Sequence, residues 1–371
     1  MGELALRYPP HSLIVSTGAH PGSAASDAAF PQLVDRVGIR ATRLRTIHGL
    51  ALWTWRAASL ARRWRPGFTW CGELKPAGYP ARWLAARHGV PYGVICHGTE
   101  LLLLDAKMRR SGFKRRTAGS LLGGAAVIVA NSRWTGDLAR SLLAELDHKA
   151  PPPIEVVPLG TTPSHFRPGV DPSAVRARYR LDGGPWLLTV SRLEWHKGID
   201  TVIRALPAVR TGHPGTRYAV AGVGDRAQHF ERLAAELGLG DAVRFLGAVP
   251  DADLPALYNA ADLYVGASRR HELMVEGFGI SLVEASACGL AVVGGRSGGV
   301  PDAVRDGETG ILVDSDDPQA VATAINALLA NPERRKQLGA AGRRAVETFY
   351  NWDRVARDLI RIDETFRRVR E

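Results

Sequence analysis

The sequence predicts an α/β chain of two successive units, each a sheet with helices between its strands. Short apolar runs alternate with helical patterns along the chain. A stretch dense in Pro and turn residues interrupts the alternation at residues 158–175. A length of 371 residues with 45% hydrophobic content is enough for two cores. The predicted division is 1–165, 166–350 and a final charged helix over 351–371.

Taken in order, SLIVST, FTWCGE, PYGVIC, AAVIVA and IEVVPLG read as strands of the first unit. Between the first two lies LALWTWRAASLARRWRP, residues 50–66, with Trp53, Trp55 and Trp64 among arginines. That composition suits an interfacial helix, and equally a sheet-packing helix with a solvated Arg face. KMRRSGFKRR, residues 107–116, is a second basic segment. VICHGTELL sets His97 just after an apolar strand, a place where a lone His is usually structural. In the second unit WLLTVSR, RYAVAG, VRFLGAV, DLYVGAS and LAVVGGR are the strands, with a further short one in ETGILV. The Gly turn in AGVGDR and the loop in FLGAVPDADLPALY follow two of them.

The most telling stretch is EGFGISLVE, residues 276–284. Gly277 and Gly279 allow close backbone approach, and free N–H groups at Gly279, Ile280 and Ser281 would face an anion such as a diphosphate. Glu276 would sit beside those amides, and Glu284, further along the helix, can accept hydrogen bonds from ligand hydroxyls. Taken alone, two Glu at this spacing more often mark a solvated helix face. Upstream, Arg192 and Lys197 stand between a strand end and a helix start, where open α/β sheets bind ligands. Alone they would be an ordinary charged loop; aimed at one crevice they clamp a pyrophosphate leaving group.

Together S-R-L-x-x-x-K-G, E-x7-E, A-C-G-x-x-V, S-G-G-x-P-x-x-V and G-x-T-G-x-L-V resemble the retaining glycosyltransferases of family 4, most strongly over about residues 185–350. VEGFGISLVEASACG most resembles the actinobacterial phosphatidyl-inositol mannosyltransferases. The resemblance implies a GT-B fold, with two Rossmann-like domains facing across a cleft, the N-terminal one binding acceptor, and a C-terminal helix crossing back. It implies that Arg192 and Lys197 bind the donor diphosphate and Glu276 the donor-sugar hydroxyls. The backbone of Gly277, Phe278, Gly279 and Ile280 would line the sugar and distal phosphate, Glu284 would bind the ribose, and the main chain from Gly247 to Val249 would touch the base. His97, in its His-Gly context, would face the anomeric centre.

The implied reaction moves a hexose, mannose from GDP-mannose as the first candidate, to an acceptor hydroxyl on a phospholipid or other anionic lipid or glycan, with retention. A UDP-sugar donor with a soluble or polysaccharide acceptor, and a nucleotide-sugar epimerase of the same fold, are the alternatives. Departing phosphate would take the acceptor proton in a front-face displacement, so leaving-group stabilisation outweighs any carboxylate base. No Asp-x-Asp motif of the kind that holds a metal against a diphosphate is read here, and the Asp316-Asp317 pair, which lacks that spacing and precedes Pro318, suits a helix start. The expected reaction is therefore metal independent, with the GDP- or UDP-linked sugar as co-substrate and no cofactor.

Composition adds a location for the charge. Residues 1–165 hold 21 Lys and Arg against 10 Asp and Glu, whereas the remainder balances at 27 each. A basic N-terminal half suits an anionic acceptor or an anionic membrane surface. A noncatalytic nucleic-acid or membrane-binding module would also be basic, but the balanced second half and the absence of a nucleic-acid motif argue against nucleic acid. Cys71, Cys96 and Cys288 lack zinc-like spacing and read as reduced core thiols. No segment reaches the roughly 18 to 20 apolar residues of a spanning helix, and no signal peptide is evident. The expected location is cytoplasmic, peripheral at the inner face of the plasma membrane.

Relatives of this kind begin with a strand, a Gly-Gly loop and a helix, and here two readings stand. In the first, the opening strand is missing, SLIVST is the second strand, a central sheet position is empty, and Gly2 is a remnant of the phosphate loop. In the other, SLIVST is the first strand and GAHPGSAAS, residues 18–26, is the Gly-rich loop.

Overall fold

The computed structural model describes residues 2–148 and 150–367, so the last four residues of the expected final helix lie outside the described residues. The chain divides into two compact units, Met1–Val157 with Trp352–Glu371, and Pro158–Asn351.

In the first unit, β1 (Ile14–Ala19) and β2 (Leu33–Arg40) form one parallel pair. β3 (Thr69–Cys71), β4 (Tyr92–Cys96), β5 (Val127–Ala130) and β6 (Ile154–Val156) form a separate parallel sheet in that order. Among the described residues no ladder joins the two pieces. β4 and β5 are buried along their whole length, as central strands of a sheet covered on both faces should be. The edge strands β1 and β3 are mostly half-buried.

The sequence reading passed over β2, and its burial says why. Its inward positions are Asp35 and Val37, so apolar alternation is broken by a carboxylate. Asp35 tolerates burial because Arg56 Nε donates to its Oδ1 at 2.6 Å and Ser16 Oγ donates to its Oδ2 at 3.3 Å. Arg56 lies on the helix Ile47–Trp64, whose Trp53 Nε1 donates to Ser16 Oγ at 3.0 Å. Thr46 caps that helix by accepting from the Gly49 amide. The sheet-packing reading of this segment is met. Trp53, Ala58 and Ala61 pack inward, whereas Ile47, Trp55 and Trp64 are exposed beside the outward arginines.

The second unit is one continuous sheet. β7 (Trp186–Val190), β8 (Arg217–Ala221), β9 (Val243–Gly247), β10 (Leu263–Gly266), β11 (Val292–Gly295) and β12 (Ile311–Val313) lie parallel in the order β12-β11-β10-β7-β8-β9. Alternate residues feed two cores. Leu187, Tyr218 and Val220 face one, Trp186, Leu188, Ala219 and Ala221 the other. Strand order reverses between β7 and β10, which is the switch point where such sheets bind ligands.

The unit boundary falls earlier than the sequence reading placed it. Residues 158–165 belong to the second unit because Thr161 bridges to Asn351, and Arg343 Nη1 donates to the carbonyls of Pro163 and Phe166 at 3.0 and 2.8 Å. The helix Trp352–Phe366 belongs to the first unit, packing Val355, Leu359 and Ile362 against Ile95, Val127 and Val129. The Asp316-Asp317 pair does start a helix: Asp317 accepts from the Gln319 amide at 2.8 Å ahead of Pro318–Ala330.

Candidate functional site

The nominated Arg192, Lys197, Glu276 and Gly279 sit on loops or a helix start at the carboxyl edge of the second unit's sheet, Gly247 ends β9, and Glu284 lies within the helix Ile280–Ala287. After β7, a single 3-10 turn, Trp195–Lys197, leads into the helix Ile199–Gly212. Gly198 joins them at φ 66°, and a Cβ there would lie 1.8 Å from the Ala267 carbonyl oxygen just beyond β10. Only glycine permits that approach. Trp195 braces the turn, its ring 4.5 Å from that of His229 and under the Arg226 guanidinium at 5.4 Å.

The turn delivers Lys197 to Glu276. Lys197 Nζ donates to Glu276 Oε2 at 2.5 Å, with both side chains less than a fifth exposed. Burial pushes the Glu276 carboxyl up, but the Lys197 ammonium outweighs it and holds the group below the usual carboxylate range. Arg192 is exposed at the end of the same strand, close enough for its charge to act on Glu276 and on His196. Between the two cations in sequence, His196 is buried, and that burial together with Lys197 lowers its pKa to about 4. It therefore stays neutral at ordinary pH.

Gly279 caps the helix Ile280–Ala287 in a left-handed conformation at φ 102°. Among the described residues, the amides of Gly279, Ile280 and Ser281 find no acceptor, so the helix start presents unpaired N–H groups and a positive dipole end. Lys197, Glu276, Ser191, Ser268, Gly279 and Ser281 line a small recess there. The S-G-G loop closes beside it: Gly299 N donates to the Glu276 carbonyl at 2.9 Å, and at Gly298 a Cβ would sit 2.3 Å from that oxygen. Phe278, nominated for its main chain, has its ring in the core, 6.2 Å from Tyr350, so its side chain has no part in the recess.

Glu284 lies on the same helix as the unpaired amides, half-buried. Burial raises its carboxyl to about 7, against the pull of a hydrogen bond from the buried Tyr258 hydroxyl to Oε2 at 2.7 Å. The sequence reading missed Tyr258, and His196 as a buried neutral base; both follow only from tertiary packing. Gly247 closes β9 at φ 67° and accepts from the Gly222 amide at 2.8 Å, and Val249 is half-buried against the core.

His97 stands in the first unit, one residue beyond β4. Its Nε2 is 3.0 Å from the Gly72 carbonyl, and a carbonyl only accepts, so Nε2 carries the proton and Nδ1 is left as acceptor. The neighbouring Gly98, at φ 107°, opens the helix Thr99–Arg109. The thiols of Cys71, Cys96 and Cys288 are free and buried, and burial raises all three.

A doubly wound sheet with cation, carboxylate and free amides gathered at its switch point, together with a second parallel α/β unit, defines the GT-B class of protein. The chain resembles Anabaena HepE, solved in complex with UDP and glucose, at a TM-score of 0.78 and 20% identity over 98% of this chain and 94% of that one. Sucrose-phosphate synthase from Thermosynechococcus elongatus gives 0.71 at 23% identity over 90% and 82%.

The chain belongs to the group 1 glycosyltransferases, the family 4 enzymes, whose family pattern matches residues 174–345. A D-inositol 3-phosphate glycosyltransferase of Frankia alni is 34% identical over 299 residues, 77% of this chain and 71% of that protein. A GDP-mannose-dependent alpha-(1-6)-phosphatidylinositol monomannoside mannosyltransferase of Mycolicibacterium smegmatis is 41% identical over 202 residues, 54% of this chain and 53% of that protein. The match thus spans about half the length of that relative.

Proposed function

We propose that the chain transfers mannose from GDP-mannose, with retention, to a hydroxyl of an anionic lipid acceptor such as a phosphoinositide glycolipid. One observation carries the reading: the Lys197–Glu276 pair beside the unpaired amides of residues 279–281 at the sheet's switch point. A cation for a leaving diphosphate, a carboxylate for sugar hydroxyls and amides for phosphate oxygens are what this chemistry needs.

In the reaction the bond from the anomeric carbon to the distal phosphate breaks while the acceptor oxygen bonds to the same face, and the acceptor proton leaves on the departing phosphate. Arg192 and Lys197 neutralise the charge that develops there, so no carboxylate base and no metal is required. Glu276 holds donor-sugar hydroxyls, Glu284 the ribose, and the main chain at Gly247 and Val249 the base.

The names of the Mycolicibacterium smegmatis and Frankia alni relatives, a phosphatidylinositol monomannoside mannosyltransferase and a D-inositol 3-phosphate glycosyltransferase, support an inositol-bearing anionic acceptor. Among the described residues no helix is long and apolar enough to cross a membrane, and exposed Trp55, Trp64 and Phe113 among arginines and lysines suit peripheral attachment at an anionic surface. The test incubates the chain with GDP-mannose or UDP-glucose, phosphatidylinositol vesicles and EDTA, and follows products by NMR. An α-mannosyl lipid formed only from GDP-mannose is expected. Conversion of nucleotide sugar without lipid would turn the assignment to an epimerase, and a UDP-sugar product would overturn the donor.

A further inference from the structure

Resting on that reading, we propose that Tyr258 is a positioning residue that makes the site select ribose over deoxyribose nucleotides: it pins one oxygen of Glu284 and leaves the other for the vicinal hydroxyls. Tyr258 lies on the helix Leu254–Ala260 and Glu284 on Ile280–Ala287, so the bond ties two separate elements across the second unit's core.

The Tyr258 ring cannot drift. It is fully buried, packed edge-on against Phe166 at a 5.8 Å centroid distance and tilted against Tyr264 at 5.9 Å. Its hydroxyl donates to Glu284 Oε2 at 2.7 Å. Burial keeps the phenol proton on oxygen, so Tyr258 serves as a donor only to this carboxylate. A carboxylate accepts through both oxygens, and a diol presents two donors. With Oε2 fixed from the core side, the carboxyl plane is set before any ligand arrives, and Oε1 remains for the ligand. Besides Tyr258, the ionisable groups whose charges act on or respond to Glu284 are Asp251, Tyr264 and Cys288.

The experiment measures calorimetric affinity for GDP and UDP and for their 2′-deoxy forms, from pH 5.5 to 8, in wild type, Tyr258→Phe, Glu284→Ala and the double variant. Tyr258→Phe keeps the ring and so the packing. Wild type is expected to prefer the ribose form, and Glu284→Ala to abolish the preference. Tyr258→Phe should cut it by about fivefold to tenfold, the net worth of an ordinary hydrogen bond, and add nothing in the Glu284→Ala background. The pH midpoint of the preference should also move upward in Tyr258→Phe, a change that loss of core packing would not produce. If Glu284→Ala matters while Tyr258→Phe leaves preference and midpoint at wild-type values, Tyr258 only fills the core and the inference fails. If Glu284→Ala leaves the preference intact, or wild type binds neither nucleotide, the ribose assignment itself fails and takes the inference with it.

Discussion

The two units use the same local device and differ in what they attach to it. Each ends a buried strand in a loop and opens a helix on a glycine of positive φ, Gly98 after β4, Gly198 after β7 and Gly279 after β10. In the second unit the loops surround a neutralised interior: Lys197 is spent on Glu276, and Arg269 grips Asp200 through two hydrogen bonds at 2.9 and 2.8 Å. In the first, much of the surplus positive charge is spread over exposed lysines and arginines at residues 107–116, around an exposed Phe113. One unit has concentrated a few charges where water is excluded; the other has arrayed many where water screens them. The former is suited to chemistry and the latter to attraction at a distance.

The sharpest way to break this contrast is Lys197→Ala. The change removes leaving-group stabilisation and leaves Glu276 buried without its cation, so transfer should fall by about 100-fold to 1,000-fold. Steady-state turnover alongside thermal unfolding checks it. A loss below tenfold in a folded variant would move the phosphate clamp elsewhere.

A smaller effect concerns the interior groups and pH. His196 has a depressed folded pKa, so its stability contribution is present above about 6.5 and is lost as pH falls toward 4. Glu284 has a raised one, so its contribution runs the other way, with stability lost as pH rises from about 4.5 to 7. Each is worth up to about 3 kcal/mol by linkage and the two oppose each other between pH 4.5 and 6.5. Relative to wild type, His196→Gln should gain stability as pH falls through that window, and Glu284→Gln should gain it as pH rises. Denaturant unfolding at four pH values reads both slopes, and parallel profiles for all three proteins would refute the assignment.

The smallest effect on the fold belongs to the exposed face. Replacing Trp55 and Phe113 by Ser should change stability by less than about 0.5 kcal/mol, yet lower binding to anionic vesicles severalfold. Unchanged sedimentation with such vesicles would leave these side chains without a membrane role.

What was legible in the sequence follows the same division. In the second unit the strands announced themselves as apolar runs, and the motif spacing set Arg192, Lys197 and Glu276 on loops at one sheet edge and Glu284 on the helix that follows. β2 hid because Asp35 holds an inward position that only Arg56 and Ser16, from other elements, make tolerable. The Tyr258–Glu284 bond and the burial of His196 were illegible because they depend on which helices meet, not on residue order. The boundary near residue 158 was misplaced because Thr161, Pro163 and Phe166 are held by Asn351 and Arg343, far along the chain.

Gly198 also fixes where this protein can be re-engineered. Its missing side chain is occupied by the Ala267 carbonyl, so any mutant library that varies the position spends its diversity on misfolded clones. Gly247, by contrast, has open space around the absent Cβ and is constrained only by its positive φ. Asn and Asp tolerate that conformation best, so position 247, proposed to meet the base through its main chain, is the place where a side chain can be added at least cost to the fold.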